Sequence, residues 1–419
     1  MNTKHKSEFL NFIQERGYLY QCTNVEGLDQ LLSQDSYIVA YIGFDCTAPS
    51  LHIGSLIQIM MLRHLQKFGY KPIVLLGGGT TKIGDPSGKD KARSVLSIEN
   101  IGQNILGIRK TLEKMISFGS GKTDAVIVNN ADWLDSIKYI DFLRDIGAYF
   151  SVNRMLSFDS VKTRLDREQN LSFLEFNYML LQAYDFAELN KKYGCRLQIG
   201  GSDQWGNIVN GIELGKKLNL SELFGLTTPL LLNAQGNKMG KTESGAVWLD
   251  GDMLKPYDYW QYFRNVDDQD VGRFLRLFTD LSIDEVKKLE SLKDQEINEA
   301  KKVLATEVTK ICHGDEEAEK ACSASISAFE NEDSSLLPDY IITKEKVADG
   351  ISLVDLLHET GFELSKGAAK RLIQGNGCKI NDNTINDINY MINSESFKDQ
   401  PFVKLSAGKK RHIKVVVSM

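Results

Sequence analysis

The sequence predicts an α/β protein: a doubly wound parallel sheet first, then a helical region, then a small α+β domain. Three observations carry this reading. Short continuous apolar runs at 37–44 (YIVAYIGF), 73–76 (IVLL) and 125–128 (AVIV) alternate with helical patterns. Such runs are buried on both faces, as in parallel sheets flanked by helices. After Pro256 the chain becomes charged and helical, with no clear strand. From Ile351 onward two short helical patterns closed by glycine sit among strand-like runs, CKIND and HIKVVV.

Taken in order, MNTKHKSEFLNFIQERG reads as an amphipathic helix without the long apolar centre of a secretory signal. The run 37–44 reads as the first buried strand and 56–68 as a helix behind it. A helical segment over about 130–195 interrupts the alternation, and 197–199 is a weaker strand candidate. These elements define a Rossmann-like domain over 1–255 and a helical domain over 256–330. NEDSSLLPDY (331–340) opens a linker reaching 350, and an α+β domain covers 351–419.

Bulk composition is that of an ordinary globular chain of more than one domain: 419 residues, 42% hydrophobic and 25% charged. Six scattered cysteines with no CxxC pair point away from a zinc site and a disulfide framework, and toward a reducing cytoplasm. No run approaches the roughly 18 apolar residues of a membrane span. The net charge is −6, but it is uneven. Residues 351–419 hold 10 Lys/Arg against 7 Asp/Glu, a local +3, which leaves −9 on the rest. The tail and the body therefore differ in charge sign.

Five stretches carry candidate chemistry. In DCTAPSLHIGSLIQ (45–58), His52 and Gly54 fall where a strand hands over to a helix, the place where α/β proteins bind ligands. Free N–H groups there attract phosphate, and a glycine lets a flat base approach; a capped helix with a bystander histidine is the alternative. GNKMGKTESG (236–245) is a basic loop with Lys238 and Lys241 three apart and Thr242 after them, suited to covering a triphosphate. A solvated turn explains it equally when it is taken alone.

GGGTTKIGDPSGKDKARS (77–94) resembles a P-loop but fails its spacing. Asp85 lies just past a buried strand, where a carboxylate can hold an ammonium group; taken alone, a turn residue before Pro86 is the simpler reading. Lys89 and Arg93 can reach phosphates. In FNYMLLQAYDF (176–186), Tyr178, Gln182 and Asp185 share one helix face, turned to water or to a polar pocket. In LQIGGSDQWGNI (197–208), glycines allow a ribose against the backbone and Asp203 can accept its hydroxyls.

Together these stretches resemble the bacterial tyrosyl-tRNA synthetases, a branch of the class I aminoacyl-tRNA synthetases, over essentially the whole length. YIGFDCTAPSLHIGS matches the first signature of that family and KMGKT the second, while GDPSGK, YMLLQAYDF and QIGGSDQWGN match its tyrosine and adenylate pockets. The C-terminal unit resembles the S4 RNA-binding module.

The resemblance implies roles. Tyr41 and Asp185 would bond the phenolic hydroxyl. Asp85, Tyr178 and Gln182 would hold the ammonium group, with Gln204 near the carboxylate. Gly43, Asp45, Gly54, Ser55, Gly201 and Asp203 would line the nucleotide site. Thr47 and His52 would meet the phosphates, with Lys89, Arg93, Lys238, Lys241 and Thr242 closing over pyrophosphate.

One departure stands out: the first signature usually ends in a second histidine, and here it is Ser55, which hydrogen-bonds but carries no charge.

The implied reaction joins L-tyrosine to the 3′ end of tRNA(Tyr) through tyrosyl-adenylate. ATP is a substrate, Mg²⁺ arrives with it, and no structural metal is expected. A homodimer with Phe173 near its interface is implied too. Arg154, Lys162, Arg164 and Arg167 are expected near the acceptor arm or that interface, or on a solvated helix. Two competing readings are another His-x-Gly nucleotidyltransferase and a non-catalytic RNA-binding protein on a synthetase scaffold. The first leaves the C-terminal unit unexplained; the second leaves His52, Asp203, Gln204 and both lysines unexplained.

Overall fold

A computed structural model describes residues 4–34, 37–87, 96–242, 245–330, 337–398, 400–408 and 411–418. The chain forms two compact units, one of Met1–Lys255 with Phe263–His313, the other of Pro256–Tyr262 with Gly314–Met419.

The first unit is built on a six-stranded sheet. Its strands are β1 (Gln21–Cys22), β2 (Val39–Phe44), β3 (Lys71–Leu76), β4 (Val126–Asn129), β5 (Leu197–Gly201) and β6 (Phe224–Thr228). Their spatial order is β1-β6-β5-β2-β3-β4, and all neighbours are parallel except the β1–β6 pair. The apolar runs predicted near 37–44, 73–76, 125–128 and 197–199 are β2, β3, β4 and β5. In β2, only Gly43 of six residues is exposed, which is why the run is apolar without alternation.

Chain order reverses between β2 and β5. From β2 the chain winds outward through β3 to β4; it then returns to β5 on the other side and continues to β6. At such a point the crossover loops part and leave a crevice at the carboxyl ends of the strands.

Local signals set the helix ends. Ser7 caps Glu8–Arg16 by accepting from the Leu10 N–H, and Gly17 ends it at φ 86°. The helix Leu56–Lys67 behind β2 buries Leu56, Ile57, Ile59, Met60, Met61 and Leu62. Between β4 and β5 run six helices, from Ala131–Leu134 to Tyr178–Tyr193, and Gly194 ends the last at φ 65°. Beyond Lys255 this unit continues through Asp268–Phe278, Ile283–Glu290 and Ile297–His313.

The second unit holds a five-stranded sheet in the order Asn383–Ile385, Cys378–Ile380, Phe402–Ala407, Arg411–Val417, Asp339–Ile342. Helices Leu353–Glu359 and Lys366–Gln374 close over it on a core that includes Leu356, Leu357, Ile373, Leu405 and Val415. Asp339–Ile342, inside the stretch read as linker, pairs in parallel with Arg411–Val417. Its pattern alternates exposed and buried residues, as expected of an edge strand with one solvated face.

Candidate active site

A cavity of about 300 Å³ opens at the carboxyl ends of β2 and β5. The end of β2 contributes Tyr41, Gly43 and Asp45, the end of β5 Gly200 and Gly201, and the helix Tyr178–Tyr193 contributes Tyr178, Gln182 and Asp185. Of the other expected residues, Thr47, Gly54, Ser55, Asp85, Asp203 and Gln204 stand on its walls, while His52 and Lys238 do not line it. The polar stripe of that helix therefore faces the cavity and not bulk water.

One end is deeply buried. Tyr41 is 1% exposed, its ring set edge-on to Phe186 at 5.2 Å, and its hydroxyl has no hydrogen-bond partner among the described residues. Asp185, also 1% exposed, accepts from Asn130 Nδ2 at 2.9 Å and from Trp133 Nε1 at 2.8 Å. Burial pushes its carboxyl up to about 7, against the pull of those two N–H donors. Burial, and then the charge of Asp185, hold the Tyr41 phenol well above its ordinary value, so it stays protonated. This end offers a hydroxyl lacking a partner beside a carboxylate with lone pairs to spare.

The middle is acidic. Asp45 accepts from Tyr178 at 3.2 Å and from Thr80 Oγ1 at 3.0 Å. Asp85 accepts from the Ser87 N–H and from Gln204 Nε2, each at 2.9 Å. Asn207 donates to Gln204 Oε1 at 3.0 Å, which fixes that amide. Four aspartates line the cavity, and among the described residues no lysine or arginine does. The field there favours a cation.

His52 stands directly behind the wall residues Gly54 and Ser55. Its Nδ1 accepts from the Gly54 N–H at 2.9 Å and caps the short 3₁₀ turn Ile53–Ser55. A Cβ on residue 54 would lie 2.6 Å from His52 Cε1, so only glycine lets the ring fold back. With Nδ1 accepting, the ring proton sits on Nε2, which is a donor. Trp248 flanks the ring with centroids 6.4 Å apart.

The basic loop reaches the same place. A Cβ on Gly240 would come within 3.1 Å of His52 Nδ1. Lys238 is exposed and bridges Leu232 as an antiparallel pair. Lys241 and Thr242 form a short strand with Gly245–Ala246; only their backbone is described. Lys89 and Arg93 lie outside the described residues.

Asn130 and Trp133, which orient Asp185, escaped the sequence reading. Their signal was the polar pair Asn129-Asn130 at the carboxyl end of a parallel strand. Arg164, expected near the acceptor arm or the subunit interface or on a solvated helix, is not solvated. It is 2% exposed and bonds Glu175 at 2.8 Å and the Asn170 carbonyl. Cys46, buried beside the cavity, is no thiolate nucleophile: burial, then the charge of Asp45, push it up to about 12.

A parallel sheet with a crevice at its reversal point, a histidine-capped turn and a lysine-bearing loop define a nucleotide-handling α/β protein. The chain belongs to the class I tRNA synthetases, in the group for tryptophan and tyrosine, whose family pattern matches residues 33–330. The C-terminal domain described as Tyrosine--tRNA ligase SYY-like matches 336–415. The Tyrosine--tRNA ligase of Wolbachia pipientis subsp. Culex pipiens is 88% identical over 415 residues, 99% of each chain. That of Ehrlichia ruminantium (strain Welgevonden) is 63% identical over 414 residues, again 99% of each. A crystal structure of a C-terminally truncated Aspergillus nidulans mitochondrial tyrosyl-tRNA synthetase superposes with a TM-score of 0.67. It is 31% identical and covers 77% of this chain and 94% of that one.

Proposed function

We propose that the cavity is where this chain activates L-tyrosine with ATP, before passing it to tRNA. The chain ligates tyrosine to tRNA, as its family membership and its 88% identity over nearly the full length establish. The site roles rest on one observation above all. An unpartnered buried hydroxyl, Tyr41, lies with Asp185 at the buried end of a cavity whose middle is acidic. A phenol matches the first and an ammonium group the second.

Tyrosine enters ring first. Its hydroxyl donates to Asp185 and accepts from Tyr41. Phenylalanine leaves both groups unpaired and is rejected for that reason. The ammonium group lies among Asp85, Tyr178 and Gln182, and Gln204 faces the carboxylate. Gly43, Asp45, Gly201 and Asp203 take the ribose side of ATP, with Gly54 and Ser55 beside it. Thr47 and the Nε2–H of His52 face the phosphates. Mg²⁺ enters as part of the ATP substrate.

The tyrosine carboxylate attacks the α-phosphorus and pyrophosphate departs, so the substrate supplies the nucleophile and the protein supplies alignment. Negative charge grows on the departing oxygens. Lys238, Lys241, Lys89 and Arg93 neutralise it, and Thr242 offers it a hydrogen bond. Asp85 and Asp185 keep the triphosphate out of the amino-acid end. The tyrosyl group then moves to the 3′ ribose of tRNA(Tyr), held by the positively charged C-terminal domain, in the cytoplasm.

The helical segment between β4 and β5 exposes Tyr139, Ile140, Tyr149, Val152, Phe173 and Leu174, with Ile140 at 71% and Phe173 at 68%. A second copy of the chain covers this face in our reading. Phe173→Asp then yields a monomer in sedimentation; an unchanged mass removes the dimer assignment.

The test of the site is ATP–pyrophosphate exchange across the twenty amino acids. Only tyrosine drives it in the parent, and Asp185→Ala abolishes it while the chain stays folded. Normal exchange by Asp185→Ala refutes the pocket assignment.

A further inference from the structure

The basic loop is not held by the sheet alone. Its first arm is a small hairpin in which the Asn233 N–H bonds the Asn237 carbonyl at 2.9 Å and the Met239 N–H bonds the Leu231 carbonyl at 2.8 Å. From outside, the hairpin is tied to the first turns of the helix Asp268–Phe278, in the same unit. The Ala234 N–H donates to Asp270 Oδ2 at 2.8 Å. Arg273 donates to the Leu232 carbonyl and, at 2.6 Å, to Asp270 Oδ1. Gln235 Nε2 donates to Asp267 Oδ2 at 3.3 Å.

Asp270 is 4% exposed, an expensive place for a carboxylate, and these partners are what offset its burial. The far end of the helix is fixed as well. The Tyr18 hydroxyl donates to the Leu277 carbonyl, and the Arg16 guanidinium donates to the carbonyls of Arg276, Thr279 and Leu281. A helix pinned at both ends is a rigid support. Lys238 ends the supported hairpin, and two residues later Gly240 packs on His52. A shift of the hairpin therefore moves Lys238 relative to the phosphate end of the cavity.

We propose that Asp270, clamped by Arg273, is a positioning residue: it fixes the hairpin and so sets where Lys238 meets the departing pyrophosphate. The inference rests on the loop role given above. A misplacement of about 1 Å at a reacting charge costs roughly 100-fold in rate, so a side chain far from tyrosine governs the chemical step.

The test is a double-mutant cycle on the full-length chain, reading single-turnover tyrosyl-adenylate formation and the Kd for tyrosine. Asp270→Ala is expected to slow adenylate formation about 10- to 100-fold with the tyrosine Kd unchanged. In the Lys238→Ala background the same change is expected to cost less than about threefold, because its target is gone. Asp270→Asn keeps an acceptor for Ala234 but loses the charge that holds Arg273, so it falls between parent and Asp270→Ala; it serves if the alanine variant does not fold.

Equal factors in both backgrounds overturn the tether, as does a tyrosine Kd that rises in step with the rate loss. Full activity in Lys238→Ala alone overturns the loop role itself, a distinct failure.

Discussion

Tyr41→Phe is expected to make the empty protein more stable and the loaded one less selective. Tyr41 is 1% exposed, and its hydroxyl meets no partner among the described residues. A buried hydroxyl in that state costs about 1–3 kcal/mol on the mutational scale. Phenylalanine removes the oxygen and keeps the edge-on ring contact with Phe186. The variant should therefore gain about 1–2 kcal/mol, seen as a higher urea midpoint with an unchanged m-value.

When tyrosine is bound the sign reverses. The lost bond to the substrate phenol is worth about 0.5–1.5 kcal/mol, so the tyrosine-over-phenylalanine ratio of kcat/KM in pyrophosphate exchange should fall about three- to tenfold. Both readings come from one oxygen. A variant that is less stable when empty, or that discriminates as well as the parent, refutes the assignment of that hydroxyl to the substrate.

Other consequences follow from single contacts. Asp185 must be ionised to accept from the substrate, and burial holds its carboxyl near 7. The tyrosine Kd measured by calorimetry should then rise toward tenfold per pH unit below about 7; a Kd flat from pH 8 to 5.5 contradicts this. The same raised value means that the folded chain keeps a proton that the unfolded chain releases. Stability of the empty chain thus falls as pH rises from about 4 to about 7, and this contribution is level above. Gly54→Ala forces the His52 ring out of its cap, so adenylate formation should slow about tenfold or more with tyrosine Kd unchanged, a split readable by stopped flow. Arg164→Met strands the Glu175 carboxylate among buried atoms and should lower stability by about 3–5 kcal/mol; an unchanged urea midpoint argues against a buried pair.

Much of this was legible in the chain, for physical reasons. A parallel strand buried on both faces must be a short apolar run, so β2 and β3 announced themselves. A helix with Tyr178, Gln182 and Asp185 on one face must turn them somewhere polar. What the residues left open was which somewhere, because water and a pocket ask for the same stripe. Asn130 and Trp133 carried only the faint signal of the Asn129-Asn130 pair, because their partner, Asp185, lies more than fifty positions on, and a hydrogen bond between side chains leaves no periodicity. Arg164 misled for the opposite reason: next to Lys162 and Arg167 it read as part of a basic cluster, while Glu175 turned it inward. Asp339–Ile342 hid in a polar stretch, since an edge strand needs only one apolar face.

The most direct measurement is a crystal structure with L-tyrosine bound. The ring should occupy the buried end of the cavity, its oxygen within about 3.2 Å of both the Asp185 carboxylate and the Tyr41 hydroxyl, and its nitrogen beside Asp85. A ligand seated elsewhere, or reversed with its ammonium group on Asp185, would contradict the account.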